Sequence, residues 1–227
     1  WAKLDRNDLV IQDANKAVTI LQERQGTPEG PSLSSRAIIF HAQAYIDHGL
    51  PAQAGLLLRL TDLRSINVND YNDRGLAYYQ LGQYEEAISD FGLSIEFEPI
   101  PRDAAPALAN RGMAYIGLGD YERALQDFDV AIDRSRGHKI PFIYSFGRAL
   151  ALFNLGRYED TIGELGSAIQ FERRDSDEAF LIRGISYGQL GQSELAGRDL
   201  AQLGDSIPDL ERGFRLNPQR SRVYYSR

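Results

Sequence analysis

Cysteine is absent from the 227 residues, which excludes disulfides, thiolate metal sites, cysteine nucleophiles and a lipid-modified N-terminal cysteine. Histidine is nearly absent as well. His41 and His48 stand seven apart on one expected helix, too far for the i,i+4 pairing of a helical metal site, and His138 falls in an expected loop, so no metal is expected. No run of about 18 or more apolar residues occurs, so no membrane span is expected. Basic residues are outnumbered: the formal charge of −7 argues against a nucleic-acid backbone as ligand, which requires a basic surface. No glycine-rich phosphate loop precedes a basic residue, and Gly117-Leu118-Gly119 is accounted for by a turn. There is no serine nucleophile elbow. Acidic pairs such as Glu85-Glu86 read as solvated helix faces rather than an acid/base couple, so the chain is not expected to be an enzyme or to need a cofactor.

The chain opens at Trp1 without an initiator methionine or an apolar signal core, which suggests a processed form or a piece of a longer protein. Arginine outnumbers lysine 22 to 3, the usage of a GC-rich bacterial genome; a soluble protein is expected, with cytoplasm and periplasm both open. Apolar content of 43% is too high for an unfolded chain and sufficient for a sizeable core.

What the sequence does contain is a repeat. "DRGLAYYQLGQYEEAISDF" (Asp73 to Phe91) and "NRGMAYIGLGDYERALQDF" (Asn110 to Phe128) are nearly the same nineteen residues. Aligned on a small residue, Ala42, Gly75, Gly112, Ala149 and Gly184 form one slot, with spacings of 33, 37, 37 and 35 residues. Three residues on come Tyr45, Tyr78, Tyr115, Leu152 and Tyr187; seven on, Gly49, Gly82, Gly119, Gly156 and Gly191. Twelve on come Ala54, Ala87, Ala124, Thr161 and Ala196; sixteen on, Leu58, Phe91, Phe128, Leu165 and Leu200. Self-similarity at this period marks a solenoid. Each copy reads as two helices. Apolar residues recur at three- and four-residue spacing from Tyr71 to Leu81, Gly82 ends that helix, a second pattern starts near Tyr84, and Pro99 stops it.

The pattern Gly75-x-x-Tyr78-x-x-x-Gly82-x-Tyr84-x-x-Ala87-x-x-x-Phe91 with Pro99 resembles the tetratricopeptide (TPR) repeat. The resemblance implies an all-α fold, a right-handed α-superhelix of stacked antiparallel helix pairs whose concave face holds a segment of another protein. Five repeats are expected over 35–67, 68–104, 105–141, 142–176 and 177–210. The first is the weakest, with Pro51 in place of an aromatic and Thr61 in place of a small apolar residue. Residues 1–34 are expected to hold an amphipathic helix, Asn7 to Arg24 with Leu9, Ala14, Ala17, Val18 and Leu21, as a half-repeat or cap. Residues 211–227 are expected to form a C-terminal cap and basic tail, with Arg212, Arg215, Arg220, Arg222, Arg227, Tyr224 and Tyr225. That tail reads first as a solvated end; docking on an acidic partner or folding onto a groove is the alternative.

The residue before the small slot is Arg74, Arg111, Arg148 and Arg183, and sixteen residues later stand Asp90, Asp127, Glu164 and Asp199. In the first copy both change together, to His41 and Leu57. This paired loss predicts four structural ion pairs between the two helices of a repeat. An anion-binding row is disfavoured, because at about 100° per residue Arg74 lies roughly 160° from the face bearing Asn72, Leu76 and Tyr79.

The resemblance places the first helix of each pair along the concave groove. The expected groove residues are Asn72, Leu76 and Tyr79; then Ala109, Asn110, Met113 and Ile116; then Phe146, Leu150 and Phe153; then Leu181, Ile182 and Ile185. Either they pack between neighbouring repeats, or they form an apolar trough for a peptide or helical segment, with Tyr79, Phe146 and Phe153 as anchors. TPR domains that hold a chaperone's C-terminal carboxylate place Lys, Asn and Arg there. Here Leu76, Ala109, Met113 and Phe146 take those places, with Asn110 the only suitable polar residue, so that ligand is not expected. A protein-binding scaffold is therefore the leading expectation. A homo-oligomerisation module and an accessory domain of a larger enzyme stand as alternatives.

Overall fold

The computed structural model describes residues 35–59, 61, 67–138, 140–171 and 177–203, with the single positions Gln12, Lys16 and Thr19. Gln12, Lys16 and Thr19 are helical and exposed; the rest of the expected N-terminal helix and the C-terminal cap and tail lie outside the described residues. Ten helices of eight or more residues and no strand occur among the described residues. They divide between two compact units, residues 1–97 and 98–227, with the boundary at the start of the loop "EPIPRD".

In the first unit, α1 (Ser35–Asp47) pairs with α2 (Pro51–Arg59), and α3 (Val68–Gln80) with α4 (Tyr84–Phe97). In the second, α5 (Ala105–Leu118) pairs with α6 (Tyr121–Arg134), α7 (Phe142–Asn154) with α8 (Tyr158–Phe171), and α9 (Asp177–Gln189) with α10 (Ser193–Leu200). Within the second unit the second helix of one pair packs on the first of the next, α6 on α7 and α8 on α9, and the first helices adjoin. No single hairpin could cover its own apolar stripe, and stacking does so.

The recurrent glycine makes the turn inside every pair. Gly49, Gly82, Gly119, Gly156 and Gly191 have φ between 72° and 79°, the left-handed region that side chains resist. The following residue's N–H then donates to a carbonyl five residues back: Leu50 to Tyr45, Gln83 to Tyr78, Asp120 to Tyr115, Arg157 to Leu152 and Gln192 to Tyr187, all at 2.9–3.0 Å. This closure satisfies the carbonyls a helix end would leave unpaired and turns the chain back on itself.

The small slot is where paired helices approach. A Cβ on Gly75 would stand 2.7 Å from the Phe91 ring, and one on Gly112 would stand 3.0 Å from Phe128. Phe91 and Phe128 are fully buried. Where the slot is Ala, at Ala42 and Ala149, the residue sixteen positions on is Leu58 or Leu165, and a Cβ on Gly184 would stand 3.2 Å from Leu200. Phe128 also meets the next repeat, since a Cβ on Gly147 would fall inside contact distance of its ring. That ring therefore locks two repeats together. The first pair is the irregular one: α2 has nine residues against fourteen in α4, α6 and α8, and the buried Thr61 hydroxyl has no hydrogen-bond partner.

Candidate functional site

Two residue sets are distributed on different faces of the first helices. The first is the arginine set. Arg74 Nε and Nη2 donate to Asp90 Oδ2 and Oδ1 at 2.6 and 2.5 Å, with the Arg74 and Asp90 side chains only 8% and 4% exposed. Arg111 and Arg183 make the same two-pronged contact to Asp127 and Asp199 at 2.7 Å. The rings of Tyr71 and Tyr78 flank the Arg74 guanidinium, each centroid 5.9 Å away. Burial pushes the Asp90 carboxyl up and the Arg74 hydrogen bonds pull it down, with a net rise. Burial also opposes the charge on Arg74, but the hydrogen bond and charge of Asp90 outweigh it and raise that group. The two directions pull opposite ways on one pair; the short bidentate geometry is that of two charged groups.

Arg148 differs. Its Nη1 donates to Glu164 Oε2 at 2.6 Å, and its Nε turns to Asp129 Oδ1 on the preceding α6, also at 2.6 Å. The sequence carried a sign of this, since Glu164 is the one Glu among the four acids. In the first pair Leu57, fully buried, occupies the acid's position. Every guanidinium of the set is thus engaged by carboxylate from another helix.

The second set is the first-helix strip. In the first unit, α3 carries Tyr79, buried, with Asn72 and Leu76 half-buried. In the second unit α5, α7 and α9 bury Ala109, Met113, Ile116, Phe146, Leu150, Leu181 and Ile182. Asn110, Phe153 and Ile185 stay half-buried. Most of the strip is thus buried, and the side chains left for a ligand are few. Phe153 is held edge-on by Tyr158 across the hairpin at 5.8 Å between centroids, and Tyr79 packs on Tyr84 at 5.6 Å. Phe146 stacks on Phe142 at 5.6 Å. The bracing tyrosines open the second helices; their recurrence nine residues after the small slot was the available signal.

Among the described residues no group of three or more His, Asp or Glu could hold a metal ion, and no helix is long and apolar enough to cross a membrane. Stacked antiparallel pairs, a left-handed glycine in each turn and a small slot facing a large apolar residue define the class. The chain carries tetratricopeptide repeats: tetratricopeptide-repeat family models match residues 109–179 and 68–100. Similar solved structures include a tetratricopeptide repeat protein from Parabacteroides merdae ATCC 43184, at TM-score 0.62 and 20% identity, covering 87% of this chain and 78% of that one. MamA from Desulfovibrio magneticus RS-1 aligns at TM-score 0.61 and 16% identity, over 81% of this chain and 98% of that one. MamA from AMB-1 aligns at 0.55 and 22%, over 75% and 96%. Similarity at these identities speaks for the fold alone. No curated protein matches the chain significantly.

Proposed function

We propose that this chain is a non-catalytic scaffold that receives an uncharged, apolar segment of another protein along the α5–α7–α9 strip of its second unit. The observation that supports the reading is the part of that strip left accessible, Asn110, Phe153 and Ile185, which are half-buried and uncharged. The ten residues of the strip, from Ala109 to Ile185, include no charged side chain, while the arginines of the same helices are consumed in ion pairs on another face. Phe153 and Ile185 are the accessible apolar contacts, Asn110 the polar one. The shorter strip of the first unit, Asn72, Leu76 and Tyr79, is assigned the same role within that unit.

Peptide selection from a random library against the purified chain, followed by backbone NMR mapping, tests this. Selected peptides are expected to be rich in apolar residues and to shift signals around Phe153 and Ile185. Phe153→Glu is expected to retain helical circular dichroism and weaken binding at least about thirty-fold, the ~2 kcal/mol of an interface hot spot. Shifts confined to the exposed acids Glu122 and Glu159 would remove the reading.

One observation favours a second reading, self-association. Phe40 is 72% and Leu56 51% exposed in the first unit, and large exposed apolar side chains often mark contacts between proteins. A sedimentation coefficient that rises with concentration, and stops rising in Phe40→Ser, would support it; a constant monomer value would end it.

A further inference from the structure

We draw no further inference here: the strongest candidate, the cleft between α6, α7 and α8 lined by Val130, Ile132, Asp129, Asp133 and Glu164, carries nothing, because each of those carboxylates already pairs with Arg136 or Arg148 and nothing in the structure shows what would fill it.

Discussion

Arg74 can be buried because Asp90 meets it with two oxygens, and Asp127 and Asp199 meet Arg111 and Arg183 in the same way. Such a pair adds little relative to apolar residues of the same size, as the buried Leu57 in the first repeat illustrates. Removing one partner is another matter, since a charge is then stranded. Asp127→Ala is expected to destabilise by about 3 kcal/mol, the lower end for a broken buried pair because Arg111 keeps some exposure. Glu122→Ala, on an exposed position of the same helix, is expected to stay within about 0.5 kcal/mol. Equal denaturation midpoints for the two variants would contradict the structural role. Volume is as tightly set as charge at this scale. Gly147→Ala forces a methyl into the Phe128 ring and is expected to cost roughly 1–2 kcal/mol, overpacking less the gain of Ala over Gly in a helix. Adding Phe128→Leu relieves the clash, so a double-mutant cycle should show coupling of about 1 kcal/mol. An additive pair would show that the ring does not lock these repeats.

At the scale of one helix, the ends are specified by short-range chemistry. Asn67 accepts from the Asp70 N–H at 3.0 Å, and Asp70 accepts from the Asn67 N–H at 3.3 Å, so α3 begins with a reciprocal cap. Asp120 caps α6 by accepting from the Arg123 backbone N–H, and the Arg123 side chain reaches back to it. The Arg123 hydrogen bonds, side-chain first and backbone second, hold the Asp120 carboxyl below its ordinary value. A carboxylate lowered on folding stabilises above its unfolded pKa, and that contribution fades as pH falls through the folded one. The difference in stability between the wild type and Asp120→Ala should therefore be constant near neutrality and shrink only below about pH 4, the ordinary aspartate range. A difference that disappears by pH 6 would place the cap's strength elsewhere. The turn glycine and Pro99 were read from the sequence, because glycine in a turn and proline after a helix act on immediate neighbours; the caps at Asn67 and Asp120 are equally local but were not read. The link of Asp129 to Arg148, by contrast, spans nineteen residues and depends on how α6 lies against α7.

For the whole molecule, the division at residues 97 and 98 makes the stability of each unit a separate question. The second unit holds three complete hairpins, the number at which stacked repeats begin to sustain one another. A fragment of residues 98–227 is expected to be helical and to melt cooperatively by circular dichroism. The fragment 1–97, with two described hairpins and a short α2, should melt lower. A disordered 98–227 fragment would mean that its folding requires the first unit.

By itself the sequence determined the repeat: its period, the helix pair, the turn glycine, the small slot and the arginine–acid correspondence all follow from spacing along one chain. Only the tertiary structure decided how much of the first-helix strip is buried, that Phe128 is shared between Gly112 and Gly147, and that Arg148 bridges two repeats. The reason is physical. Periodicity says which side of a helix is apolar, but whether that side meets another helix or is left for a ligand depends on the distance and angle between elements, which no local pattern encodes.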